Sequence, residues 1–224
     1  MKNKVLIVED SAVILKVLKH LSKQSLELEP IFATSMAEAK AAYKTHKEEL
    51  FAGIIDLALP DAPNGELVDF LLEEHFPVVV LTGSYDEKRR ESLVKKGVVD
   101  YVVKESRYSY RYAINMINRL YKNQKIQVLV VEDSKQYRKH IVRLLVAHKY
   151  QVLESENGLE AIAQLKQHPH VKMVITDYNM PEMDGFELVQ EIRRQHEKSD
   201  MIIIGLSGED GGMLSIKFIK NGAD

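Results

Sequence analysis

Two hydrophobic periods alternate along this chain. Apolar runs of strand length stand at residues 5–8, 31–33, 51–55, 78–81 and 101–103. The segments between them carry apolar residues at helical spacing. Val13, Ile14, Val17, Leu18 and Leu21 follow Ser11, whose hydroxyl suits a helix N-cap. Ser35 is placed to cap a helix over 36–44, and further helices are predicted over 66–72, 86–96 and 107–121. Gly97 stops the fourth of these, and Ala113, Ile114, Ile117 and Leu120 form the inward stripe of the last. Five strands, each followed by a helix, predict a doubly wound parallel α/β sheet, because βαβ crossovers cover both faces. The flavodoxin-like order 2-1-3-4-5 is the expected one.

The pattern is then written a second time. VLIVEDS at 5–11 returns as VLVVEDS at 128–134, GIIDLALPDAPNG at 53–65 is answered by VITDYNMPEMDG at 174–185, and Thr82 has its counterpart in Ser207. A period this long is a domain duplication rather than a solenoid. The boundary is expected at residues 123–126, giving domains 1–124 and 125–224. Ser134 and Asn157 are predicted to cap helices of the second copy. Its pattern halts at Asp224, where the first copy's fifth strand would begin, so a second domain truncated at its last strand and helix is expected.

Composition narrows the function classes. Lys and Arg number 31 against 33 Asp and Glu, which leaves no basic excess to suggest a nucleic-acid partner. Without a single Cys there is no disulfide framework, thiolate nucleophile or thiolate metal site. The apolar run near the N-terminus is too short for a signal peptide or membrane span. A cytoplasmic protein without a membrane partner is the default expectation.

The chemistry gathers at predicted strand ends. Glu9 and Asp10 end the first strand and Asp56 the third; Glu132, Asp133 and Asp177 repeat them. The carboxyl edge of an open parallel sheet is where ligands bind. Carboxylates packed together repel unless a proton or cation joins them, and a hard divalent ion such as Mg²⁺ suits an all-oxygen set. Thr82 and Ser207 add hydroxyls at the fourth strand end, and Lys104 adds an ammonium at the fifth. A carboxylate flanked by a cation, a hydroxyl and an ammonium is a site for taking up a phosphoryl group. Each residue taken singly has an ordinary structural reading; the joint pattern, twice over, outweighs them.

With that ordered set of acid pair, Asp, Thr/Ser and Lys, both halves resemble the receiver domains of bacterial two-component response regulators. The resemblance implies that Asp56 and Asp177 accept phosphate from a sensor histidine kinase or a phosphotransfer protein. It implies Mg²⁺ held by Asp10 and Asp133 directly, by Asp56 and Asp177, and by the backbone carbonyls of Ala58 and Asn179, with Glu9 and Glu132 helping. Thr82, Ser207 and Lys104 would bind phosphoryl oxygens, and Tyr101 would be a rotamer switch. Ala58 and Ser84 in the first copy, and Asn179 and Glu209 in the second, stand where receivers tune dephosphorylation. The polar pair matches chemotaxis receivers and implies the faster hydrolysis at Asp177.

Two departures stand out. The loop after Asp56 is one residue longer than that after Asp177, and Lys104 precedes Glu105 where receivers usually have Pro. The second copy's Lys would fall past Asp224. The expected function is phosphorelay signalling that controls an output domain beyond Asp224, by resemblance often a diguanylate cyclase; any enzyme activity beyond receiver self-phosphorylation and autodephosphorylation would reside there. A relay or sink pair without output remains open, as does one receiver serving as an unphosphorylated dimerisation or docking module, and with it a homodimer.

Overall fold

The computed structural model describes residues 2–206 and 212–224, without the side chains of 212–215. The chain divides into two compact units, Met1–Tyr121 and Lys122–Asp224. In the first, β1 (Lys4–Val8), β2 (Glu29–Ala33), β3 (Leu50–Asp56), β4 (Val78–Thr82) and β5 (Asp100–Val103) form one parallel sheet. Its order is β2-β1-β3-β4-β5. Helices α1 (Ala12–Ser25), α2 (Met36–His46), α3 (Glu66–Glu73), α4 (Glu87–Lys96) and α5 (Arg107–Asn123) alternate with the strands. This is the doubly wound, flavodoxin-like order expected from the alternation of strands and helices.

Period-two alternation decides which helices cover which face. Leu6 and Val8 of β1 pack with Ala39, Tyr43, Leu67, Leu71 and Leu93, from α2, α3 and α4. Val5 and Ile7 point the other way, against Leu18, Leu21, Ala113, Ile114, Ile117 and Leu120 of α1 and α5. Burying a Leu or Ile side chain contributes about 1.5–3 kcal/mol, so both faces must be covered for the sheet to persist. The caps follow local chemistry: the side chains of Ser11, Ser35 and Asp86 accept from Ile14, Glu38 and Arg89 backbone N–H groups. Gly97, at φ 100°, ends α4 in the left-handed conformation that glycine adopts without a Cβ penalty.

One predicted face needs correction. Val13, counted among the apolar residues at helical spacing, is 75% exposed, whereas Leu15, left out of that set, is 9% exposed. The buried line runs Leu15, Leu18, Ser22, a spacing of three and four. Val13 lies about 200° from Leu15 around a 3.6-residue helix and so faces outward.

The second unit repeats the scheme with β6 (Gln127–Val131), β7 (Gln151–Ser155), β8 (Val171–Asp177) and β9 (Ile202–Leu206), in the order β7-β6-β8-β9. Its helices are α6 (Lys135–Ala147), α7 (Gly158–Gln167), α8 (Gly185–Arg193) and α9 (Gly212–Asn221). Asn157 caps α7 as predicted, but Ser134 occupies the N-cap position of α6 without a side-chain cap bond. Asp184 and Glu187 form a reciprocal capping box on α8.

The described second sheet is shorter by one strand, and this has a measurable consequence. β4 is paired on both sides, with β3 and β5, while β9 pairs with β8 alone among the described residues. Ile202 and Ile204 are correspondingly exposed, whereas every residue of β4 is buried. Amides of an edge strand open more readily. Hydrogen exchange read by mass spectrometry should therefore show faster uptake at 201–206 than at 78–82. Equal protection would mean that something covers the β9 edge.

Candidate functional site

The carboxyl ends of β1, β3, β4 and β5 meet at one edge of the first sheet and carry the site. Glu9 follows β1 and is fully buried; its Oε1 accepts from the Ser11 N–H at 3.3 Å. Asp10, one residue on, is exposed. Asp56 closes β3, is buried, and accepts from the Ala58 N–H at 3.3 Å. One carboxylate oxygen from each of Glu9, Asp10 and Asp56 lies within 4.8 Å of the others. Lys104 joins them from the end of β5: its Nζ is 2.7 Å from Glu9 Oε2 and 2.7 Å from Asp56 Oδ2. Its backbone is fixed by the Lys104 N–H bond to the Thr82 carbonyl at 2.8 Å.

The electrostatics follow from burial and charge. Burial pushes the Glu9 carboxyl above its ordinary value, the Lys104 ammonium pulls it back, and the Asp56 charge raises it again. Asp56 is likewise raised by burial, opposed by Lys104 and by the Ala58 N–H. Burial pulls Lys104 down, but its hydrogen bonds and charge pairing with Asp56 and Glu9 outweigh this and hold it above the usual lysine range. Three carboxylates against one ammonium leave two negative charges, which one divalent cation would balance. The donors are all oxygen and close enough to share one ion, a set that fits Mg²⁺ and not a soft metal.

The hydroxyls at this edge are placed differently from the acids. Thr82 Oγ1 donates to the Ser84 carbonyl at 3.1 Å and accepts from the Ser84 N–H at 3.4 Å. Tyr101, buried, donates its hydroxyl to the same Ser84 carbonyl at 3.2 Å. The two residues singled out for phosphoryl binding and switching thus converge on the loop after β4, and Thr82 is engaged there.

In the second unit Glu132, Asp133 and Asp177 repeat the cluster, again with ligand atoms within 4.8 Å of one another. Glu132 is buried and Oε1 accepts from the Ser134 N–H at 3.0 Å; Asp177 Oδ2 accepts from the Asn179 N–H at 3.1 Å. Burial raises the Glu132 carboxyl, the Ser134 N–H opposes it, and the charges of Asp177 and Asp133 raise it further. Ser207 and Glu209 lie outside the described residues.

Sequence reasoning missed Arg138. It is buried and donates from Nη1 to the Glu132 carbonyl at 2.6 Å, while its other nitrogens pair with Glu154 at 3.2 Å and Glu156 at 2.6 Å. The repeat itself held the signal: aligning the two copies puts Arg138 over the buried Leu15, with Glu154 near the end of β7 and Glu156 just past it.

Comparison with known proteins agrees with this architecture. The response regulator receiver domain matches residues 5–110 and again 128–224. A chemotaxis protein CheY homolog of Campylobacter jejuni (strain 81-176) is 40% identical over 100 residues, covering 44% of this chain and 77% of that protein. A solved structure described as a putative two-component system response regulator/GGDEF domain protein is 42% identical. It covers 100% of this chain and 90% of its own, with a TM-score of 0.92. A second, described as a probable two-component system response regulator/GGDEF domain protein, is also 42% identical, with the same coverage and a TM-score of 0.91. With two matched segments that span most of its length, each folded as a parallel α/β unit with three acids at one sheet edge, this chain belongs to the response regulator receiver family of two-component signalling and carries the domain twice.

Proposed function

We propose that both units accept a phosphoryl group, on Asp56 and Asp177, from a sensor histidine kinase or a phosphotransfer protein. The observation that carries this reading is the three-carboxylate cluster of the first unit with Lys104 at 2.7 Å from both Glu9 and Asp56. Mg²⁺ would be held by Asp10, Asp56 and the Ala58 carbonyl, with Glu9 behind them. In the second unit Asp133, Asp177 and the Asn179 carbonyl would hold it, with Glu132. When bound, the ion supplies positive charge to phosphoryl oxygens. In the transfer a carboxylate oxygen of Asp56 attacks phosphorus, the donor's P–N bond breaks, and its electron pair stays on the imidazole nitrogen, which ends protonated. Lys104 is poised to move from Asp56 to a phosphoryl oxygen, since the acid it pairs with becomes an acyl phosphate. Thr82 would turn from the Ser84 carbonyl to donate to a second oxygen, and Tyr101, bonded to that same carbonyl, would feel the change. Ser207 is assigned the matching role in the second unit. The two solved relatives described as response regulator/GGDEF domain proteins support a reading in which such receivers govern a GGDEF output.

Incubation with acetyl phosphate and Mg²⁺, read by intact mass, tests this. The chain should gain phosphoryl mass, and Asp56→Asn should remove the label from peptides of the first unit. Retention of that label in Asp56→Asn would sink the assignment.

A further inference from the structure

The loop between β3 and α3 carries Ala58 and is one residue longer than its counterpart in the second unit. Its fold in the first unit is set by a tight turn: the N–H of Leu59 donates to the Ala62 carbonyl at 3.2 Å, and the N–H of Ala62 to the Leu59 carbonyl at 3.0 Å. Leu59 and Ala62 point into the core, so Pro60 and Asp61 form the exposed tip. From that tip the Asp61 carboxylate reaches α2, accepting from the Met36 N–H at 2.8 Å and the Ala37 N–H at 3.0 Å. These are free N–H groups of a helix start, where a carboxylate is favoured, and the two bonds hold the Asp61 carboxyl below its ordinary value. The helix does not need them for its own cap, because Ser35 already accepts from the Glu38 N–H at 3.2 Å. The second unit leans the same loop on the start of α7 by other means: a Cβ on Gly158 would lie 2.6 Å from Met183 Cγ.

We infer that Asp61 is a positioning residue for the first site, tying the loop that carries Ala58 to the first turn of α2. The inference rests on the metal set proposed above. Ala58 is bonded through its N–H to Asp56 and directly precedes Leu59, the first residue of the turn. Movement of the turn therefore passes to the Ala58 carbonyl and to the Asp56 side chain together. The charged anchor fixes the longer loop, which has one more residue free to move than its counterpart.

The test uses the full chain carrying Asp133→Asn, which silences the second metal site. Mn²⁺ affinity is read from the electron paramagnetic resonance signal of the free ion, and the Mg²⁺ dependence of acetyl phosphate labelling at Asp56 is followed alongside. Asp61→Ala should weaken Mn²⁺ binding roughly fivefold to tenfold and raise the Mg²⁺ needed for half-maximal labelling by the same factor. Asp61→Asn, which keeps one acceptor oxygen, should fall between. Ser35→Ala removes the cap of the same helix without touching the loop and should leave the Mn²⁺ affinity unchanged. If Asp61→Ala binds Mn²⁺ as tightly as its parent, Leu59 and Ala62 hold the loop by burial alone and the inference is wrong. An equal loss in Ser35→Ala would assign the effect to helix integrity and also overturn it. A parent that neither binds Mn²⁺ nor labels at Asp56 would overturn the metal reading itself, a result distinct from the other two.

Discussion

Gly185→Ala is expected to destabilise the second unit by about 3 kcal/mol, as overpacking against a rigid neighbour does. A Cβ at that position would stand 2.3 Å from the Asp177 carbonyl oxygen and 3.0 Å from the Tyr178 Cα. Both are backbone atoms, and the Gly185 N–H is bonded to the Tyr178 carbonyl at 2.9 Å, so the loop and the helix start cannot simply part. The clash falls on the residue assigned as phosphoacceptor. Local damage should thus accompany the global loss: faster hydrogen exchange over 171–178, with 50–57 in the first unit unchanged. Gly83→Ala is the control, since nothing lies within 4 Å of the Cβ it would add. It should stay within about 0.5 kcal/mol of the parent. A Gly185→Ala variant as stable as Gly83→Ala would show that the loop after Asp177 relaxes without cost.

Lys104→Met is expected to cost the first unit about 3 kcal/mol at pH 7.5, the scale of removing one partner from a buried ion pair. The sign of its pH dependence follows from the two acids it serves. Burial raises Glu9 and Asp56, and Lys104 is the chief influence opposing that rise. Without it both folded-state values climb further. A carboxyl whose folded value lies above its unfolded one favours the folded state below the unfolded value, and that advantage is lost as pH rises through the folded value. The gap between variant and parent should open as pH rises past the parent's already raised folded-state values and be larger at pH 7.5 than at pH 5. Urea denaturation at the two pH values, followed by peptides of the first unit, measures it. Saturating Mg²⁺ should recover more stability in the variant than in the parent, because the ion then supplies the missing positive charge. An equal deficit at both pH values would point to lost packing of the lysine's alkyl stem instead.

Both predictions concern contacts of very different legibility. That three acids end neighbouring strands could be read directly, since each sits at the close of an apolar run and the parallel order brings those ends to one edge. Repetition made the reading firm: a coincidence of Glu9, Asp10 and Asp56 does not recur by chance as Glu132, Asp133 and Asp177 in the same order. Val13 shows where that kind of reading fails. In a run as apolar as AVILKVL, several stripes fit a period of 3.6, and only docking against the sheet selects Leu15 and Leu18.

What the sequence determined by itself, then, is whatever depends on near neighbours in the chain: the strand runs, the caps at Ser11, Ser35 and Asn157, the stop at Gly97, and the duplication. Tertiary structure alone decided what depends on side chains meeting across elements. Lys104 pairs with Glu9 as well as Asp56, Thr82 and Tyr101 share the Ser84 carbonyl, Arg138 replaces an apolar contact with charges, and Asp61 bonds to a helix that precedes it by 25 residues. A carboxylate in a loop looks alike in sequence whether it faces water or a helix start. Which of these it meets is set by where the packed core leaves the loop's tip, and that position is a property of the assembled fold rather than of any local run of residues.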